Sequence, residues 1–368
     1  MTGTSSPLQR ACRDRIADEL DSIRRFREGG GKTLGYLCCG FPEPVAAGLG
    51  LRPLRILHGA SGQMEDAGGS LVRPDICPFI KVVLGGIFAG SEPFCLVDLW
   101  MGLATCDHTR RCFSRIAETA AVHTVQLPST RTGKAGGYYG WQMTEFVRQA
   151  ERLLDVVYSP DTVMEHAAAR CAAGKVLAEA ALGGSLSPMD LHCLFHLFHL
   201  SDPKGLDETL RSLLKLADEF SPRFMVALTG GALTLEDTHI LHLLEEKRVG
   251  VLPLGCSGLQ SVPFAGMNGL PVSASPEGLA DESFRSLRCP RSRPNDETFD
   301  YIGEAVRISG CSGILVKTLK FCDLWFTERE RLRERMDVPV LVIDTSYGEG
   351  EAPRQRNRVE SFLETLRA

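Results

Sequence analysis

Thirteen cysteines stand in this 368-residue chain, and six of them follow an order that occurs twice. In the first half Cys38 follows the strand-like run "TLGYL", Cys77-Pro78 lies in a loop before a helical stretch, and Cys106-Asp107 follows another strand-like run. In the second half Cys256 follows "VGVLPLG", Cys289-Pro290 lies in a loop, and Cys322-Asp323 follows "GILVKTL". The spacings are 39 and 29 residues, then 33 and 33. A single cysteine at a strand end is an ordinary apolar filler, but a twofold ordered set asks for more. A thiol beside a helix N-terminus is biased toward thiolate, the metal-binding form. Three thiolates in each of two facing domains suit an iron–sulfur cluster in the cleft between them, with one iron of each cube left to a non-cysteine ligand. There is no C-x-x-C pair, which argues against zinc ribbons and thioredoxin chemistry.

The remaining cysteines divide simply. Cys12, Cys95, Cys112, Cys171 and Cys193 fall within helix or strand patterns and read as fillers. Cys311, just before a strand, is a reserve ligand, as is Cys39 beside Cys38, since adjacent cysteines rarely form an unstrained disulfide. Three weaker catalytic candidates each carry a plain alternative. Glu43 at a helix start serves either the helix dipole or a proton relay. His108 beside Cys106 is either a solvated first-turn residue or a neighbour that tunes a cluster. His199, with His192 and His196 at helical spacing, is either packed or a proton donor at the cleft. Lys81, Lys317 and Lys320 either solvate the surface or offset cluster charge. Thr229-Gly230-Gly231 makes a turn or admits a ligand to the backbone. "GGGKT" at 29–33 is a helix terminus and turn, because the P-loop spacing fails at Phe26.

The elements that must position these residues alternate. Strand-like and helical runs succeed one another to residue 140, give way to helices, and alternate again after Pro222. The expected fold is α/β: two doubly wound parallel-sheet, Rossmann-like domains related by an internal repeat and joined by a helical segment. Expected boundaries are an N-terminal helix over 1–30, a first domain over 31–140, helices over 141–220 and a second domain over 221–368. "RTGKAGGYYG" at 131–140 reads as a mobile loop over the cleft, and 258–294 as an irregular loop that would shape a substrate pocket.

A net charge of -5 leaves no footprint for nucleic acid or an anionic membrane. The polar N-terminus lacks the apolar core of a signal peptide, and no apolar run of about 18 residues is present. A cytoplasmic protein without a disulfide framework is expected.

The segments "LCCGFPEPVAAGLGLRPLRIL", "CPFIKVVLGGI", "TCDHTRRCF", "LGCSGLQ", "RCPRSRPNDETFDYI" and "GILVKTLKFCDLWFTERERLRERMDVPVLVID" resemble the 2-hydroxyacyl-CoA dehydratase / benzoyl-CoA reductase superfamily. Within it, the Cys-Pro steps at 77 and 289 resemble the double-cubane cluster proteins. The resemblance implies a homodimer in which each chain holds an [8Fe–9S] double-cubane cluster, two [4Fe–4S] cubes joined by a sulfide. It implies ligands Cys38, Cys77 and Cys106 on one side and Cys256, Cys289 and Cys322 on the other. It also implies electrons from a separate iron–sulfur ATPase activator, spent on reducing a small molecule. An alternative is a dehydratase or benzoyl-CoA reductase-type subunit with one [4Fe–4S] cluster. A non-enzymatic electron-transfer or cluster-carrying protein is the third reading.

Overall fold

Two four-stranded, all-parallel sheets with the same strand order form the frame. The computed structural model describes residues 5–262, 270–348 and 351–366. The first half runs α1 (Pro7–Glu28), β1 (Thr33–Tyr36), α2 (Pro44–Gly48), β2 (Arg52–Arg55), α3 (Gly62–Gly69), α4 (Pro78–Phe88), β3 (Leu99–Ala104), α5 (Asp107–Ile116) and β4 (Ala121–Gln126). Four helices follow, α6 (Gly133–Leu154), α7 (Pro160–Gly183), α8 (Pro188–Leu200) and α9 (Leu206–Leu214). The second half runs β5 (Phe224–Gly230), α10 (His239–Glu246), β6 (Val249–Pro253), α11 (Pro276–Ser286), α12 (Asp296–Ile308), β7 (Cys311–Leu319), α13 (Asp323–Arg335), β8 (Val340–Thr345) and α14 (Glu351–Thr365).

The sheet orders are β2-β1-β3-β4 and β6-β5-β7-β8, so the repeat expected from the sequence is a repeat of topology. In each sheet the chain reverses direction of travel between the first and third strands. Loops at the carboxyl ends of the strands meet there, the usual ligand position of open α/β sheets. The inner strands β1, β5 and β7 are largely buried on both faces, which is why β5 and β7 read as continuous apolar runs, whereas edge strand β4 is mostly exposed or half-buried.

Two expected loops are partly helical. Residues 133–140 open α6, capped by the Thr132 hydroxyl, which accepts from Ala135 N at 3.2 Å. Two of their glycines, Gly136 and Gly140, serve close approach to α11. A Cβ on Gly136 would lie 2.3 Å from Asp281 Oδ1, and one on Gly140 2.7 Å from Glu277 Cγ. The stretch 258–294 contains α11, whose Leu279, Ala280 and Phe284 join Tyr139, Met143 and Phe146 of α6 in one apolar cluster with β1 and β3. Residues 263–269 of that stretch lie outside the described residues. Among the described residues no helix is long and apolar enough to cross a membrane.

Candidate functional site

Five of the six ordered cysteines sit where strands end or helices begin, Cys289 lies in a loop, and all six are half-buried free thiols. Cys38 lies two residues past β1, Cys106 caps α5 after β3, and Cys77 caps α4. Cys322 caps α13 after β7, Cys256 follows β6, and Cys289 lies between α11 and α12. Two of the three pairs occupy matching places in the repeat. Cys38 and Cys256 do not: one follows the first strand of its sheet, the other the second. The place matching Cys38 is held by Thr229-Gly230-Gly231, and the loop matching Cys256 carries His58. Gly230 is obligatory there, with φ +124 and room for no Cβ, since one would stand 2.0 Å from Lys317 O.

The thiols neighbour one another across the two halves. Cys38, Cys39 and Cys289 pack against the same apolar cluster, because α11 carries the Cys289 loop over to the first sheet. Arg55 ties that corner to Cys256, donating to Leu37 O at 3.3 Å and to Cys256 O at 2.7 Å. At the other corner the Cys77 amide donates to His108 Nδ1 at 3.3 Å, which binds α4 to the helix Cys106 caps. Lys81 Nζ, one turn into α4, lies 5.9 Å over the Phe321 ring next to Cys322. Phe321 is held at φ +64, a strained backbone for a bulky residue, immediately before that cysteine.

Electrostatics separates the adjacent pair. The Cys39 thiol and the Gly40 amide, 3.3 Å from Cys38 Sγ, hold Cys38 below the ordinary thiol range against the effect of burial. The Cys39 thiol, as the donor of that pair, is driven up, and burial adds to it. Burial pushes Cys77 up to about 12, with the Cys322 and Cys106 thiols adding to it. Burial likewise lifts Cys289 to about 12 and raises Cys256 and Cys322. Bare, these are neutral thiols; a bound metal would reverse that.

Two cations stand against this centre without a carboxylate partner among the described residues. Arg55 is 3% exposed and touches only Leu37 O, Cys256 O and His199 Nε2 at 3.4 Å. Arg291, two residues past Cys289, is 8% exposed. It donates to Thr105 O at 2.7 Å, Pro128 O at 2.8 Å and Leu127 O at 2.7 Å, stapling the second half to the ends of β3 and β4. A buried charge without a counter-ion is expensive, so an anion is the fitting occupant between them. Among the described residues no three His, Cys, Asp or Glu side chains converge closely enough for a single metal ion. Half-buried free thiols beside two buried guanidiniums are the donor chemistry that an anionic, thiolate-ligated group would use.

The other candidates fall out differently. Glu43 is bound on all sides: Tyr36 OH donates to Oε2 at 2.7 Å, while His166 Nε2 at 2.7 Å and Arg170 Nη2 at 2.5 Å meet Oε1. Burial opposes its charge, but Arg170 and His166 hold the carboxyl well below its usual range. His199 Nε2 meets Ser257 O and Ser261 Oγ, each at 3.2 Å. Lys317 is not a solvated lysine. It is buried on the central strand β7 and paired with Asp237, because β5 and β8 cover that strand on both sides. Lys81 donates to Pro74 O at 2.8 Å. Cys12, Cys112, Cys171, Cys193 and Cys311 are buried and Cys95 is exposed. Arg55, Arg291, His58, His166 and Arg170 were not singled out from the sequence. The one available signal was an arginine within the apolar run "LRPLRIL".

Two comparisons bear on this site. A family model described as HGD-D, 2-hydroxyglutaryl-CoA dehydratase, D-component, matches residues 38–366. YjiM of Escherichia coli (strain K12), named as a dehydratase subunit, is 21% identical over 365 residues, covering 94% of each chain.

Proposed function

Because the chain belongs to the 2-hydroxyglutaryl-CoA dehydratase D-component family, we propose that it is an iron–sulfur enzyme component whose six ordered cysteines hold a double-cubane cluster between the two α/β domains. The observation that carries this reading is the charge and ligand balance. Six half-buried free thiols gather from both halves beside two buried guanidiniums that lack carboxylates. Six ligands exceed the three that one [4Fe–4S] cluster of this kind takes from cysteine, which favours the larger group. When bound, the group supplies one-electron transfer at low potential.

The chain's own residues define the rest. Cys38, Cys77, Cys106, Cys256, Cys289 and Cys322 hold the group. Arg55 and Arg291 balance its charge and lock the loops of Leu37, Cys256 and Thr105 in place. His108 fixes the Cys77 loop through its amide. The apolar clusters beneath the cysteines keep water from the centre. Glu43, ionised and fully bonded, orders the Tyr36–Arg170 side of the site rather than giving up a proton. Electrons would come from a separate iron–sulfur ATPase, and a homodimer reducing a small molecule completes the proposal. The family and YjiM's name favour a second reading in the same site, elimination of water from a 2-hydroxyacyl thioester with a single cluster.

Iron and sulfide analysis after anaerobic purification separates the two. About eight irons per chain supports the double cube, and about four supports the single cluster. Zinc alone, or no metal, would remove both. Cys289→Ser should strip about half the iron; unchanged iron would take Cys289 out of the ligand set. Turnover that requires a reduced iron–sulfur ATPase distinguishes an enzyme from a passive cluster carrier.

A further inference from the structure

Two hydroxyl groups that the site above does not use converge on one carbonyl beside it. Tyr139 OH of α6 donates to Gly40 O at 2.8 Å, and Ser283 Oγ of α11 donates to the same oxygen at 2.9 Å. Both side chains are buried, Tyr139 completely. Burial holds the Tyr139 phenol well above its usual range, so it stays a donor. A carbonyl oxygen has two lone pairs, and here two helices remote in sequence fill them. The helices can come this close because Gly136 and Gly140, on either side of Tyr139, leave room for Asp281 and Glu277 of α11. The Phe284 ring, next to Ser283, lies 6.3 Å from the Tyr139 ring and packs the pair together.

Gly40 closes the turn that carries Cys38. Its amide lies 3.3 Å from Cys38 Sγ, and the Phe41 amide donates to Cys38 O at 3.1 Å. The peptide unit between Gly40 and Phe41 is therefore held at both ends, its N–H by Cys38 O and its carbonyl by the two hydroxyls. That fixes Gly40, and with it the aim of its own amide at the Cys38 sulfur. Space there is tight as well: a Cβ on Gly40 would stand 3.2 Å from Leu127 and 3.5 Å from Cys38 Sγ. Cys106 makes a contrast. Thr109 N, 3.4 Å from Cys106 Sγ, belongs to the first turn of the helix that Cys106 caps, so its aim comes from that helix alone.

We propose that Tyr139 and Ser283 are positioning residues that hold the Gly40 amide on the Cys38 sulfur and so set the reduction potential of the group that Cys38 holds. The proposal rests on the reading of Cys38 as a ligand of an iron–sulfur cluster. An amide aimed at a ligand sulfur stabilises the more negative, reduced state and raises the potential. Residues that orient a ligand's surroundings thus act on a metal centre without touching it. Packing alone does not call for either hydroxyl: phenylalanine and alanine would fill the same places with no buried hydroxyl to satisfy. Because α11 also carries the Cys289 loop to this corner, the seating of one helix places one ligand and tunes another.

The test compares Tyr139→Phe, Ser283→Ala and the double change with the wild type as anaerobically purified, iron-loaded proteins. Midpoint potentials are read by spectroscopically monitored titration with dithionite in the presence of viologen mediators. Iron content should stay at the wild-type level. At a fixed potential the double variant should hold about tenfold less reduced cluster, a fall of about 59 mV for one electron. Each single change leaves one donor on the carbonyl and should move the potential less than half as far. Tyr158→Phe is the control, because it removes a hydroxyl beside the same apolar cluster, one that donates to Ala274 O at 2.9 Å and not to Gly40. It should lower the melting temperature as the others do and leave the potential alone. A double variant with full iron and the wild-type potential overturns the proposal, and so does an equal shift in Tyr158→Phe. If the double change sheds iron, the singles decide, and an unmoved potential in both overturns it. Wild-type protein without iron, or Cys38→Ser protein with full iron, removes the cluster or ligand reading instead, so the failures are distinct.

Discussion

Replacing Glu43 by glutamine tests whether that residue is a structural anion or a proton donor. Its carboxylate sits 2.5 Å from Arg170 Nη2, and the two side chains are 16% and 7% exposed. At an effective dielectric near 20, unit charges about 4 Å apart attract by about 4 kcal/mol. Removing one partner of such a pair costs about 3–5 kcal/mol, because the other is left buried and uncompensated. Glutamine still accepts from Tyr36, and Arg170 keeps its bond to Ser201 O at 3.1 Å, so the low end applies, about 3 kcal/mol. At about 2–4 °C per kcal/mol the melting temperature should drop by about 6–12 °C. The pH dependence has a definite sign. The folded carboxyl is held below its usual range, so its stabilising effect is fully present above the unfolded value and is lost as pH falls through the folded one. The wild-type advantage in thermal melts should therefore be flat from about pH 5.5 to 8 and shrink only in stronger acid. A double change with Arg170→Met should cost clearly less than the sum of the singles. A Glu43→Gln protein that melts like wild type, or an advantage that grows toward acid, would refute the pairing argument.

Other expectations follow from the same contacts. Arg291→Met removes three bonds between the halves and should lower stability by about 3–5 kcal/mol, read as a lower urea midpoint and faster proteolysis of the Cys289 loop. Gly230→Ala combines left-handed backbone with a Cβ 2.0 Å from Lys317 O, and about 3 kcal/mol or more should be lost, seen as poor recovery of folded protein. In Gly140→Ala the helix propensity gain of about 1 kcal/mol is outweighed by the clash with Glu277, for a net loss of about 1–2 kcal/mol in thermal melts. His58 is lowered to about 4 by burial, so the unfolded chain binds the extra proton between its own value and that one. Stability should fall with acid across that window by about 3 kcal/mol, and His58→Phe should flatten the slope in pH-dependent unfolding.

What could be read from the sequence was what depends on local pattern. Runs such as "GILVKTL" and "RFMVALTG" announce buried parallel strands because both faces are covered. The cysteines announced themselves by order and by their places at strand ends and helix starts. Tertiary packing hid the rest. The stretch 133–140 looks like a flexible loop, yet its Gly136 and Gly140 form the seam along which α6 meets α11. Lys317 looks solvated until its strand is placed between two others. Arg55 and Arg291 owe their meaning to carbonyls far away in the chain, Cys256 for one and Thr105 for the other, and no spacing rule links them.

The crossing of α11 onto the first sheet bears on how the chain matures on the ribosome. The apolar cluster under β1 and β3 is incomplete until Leu279, Ala280, Phe284 and Leu287 arrive. These emerge roughly 120 residues after α6, a delay on the order of ten seconds at ordinary synthesis rates. During that interval the first sheet exposes an unfinished core, with the Cys38 loop open beside it. Closure comes with the same segment that delivers Cys289, so metal loading at these thiols should follow near-complete synthesis rather than accompany it. A truncated first half should accordingly be a client for chaperones and not an autonomous module.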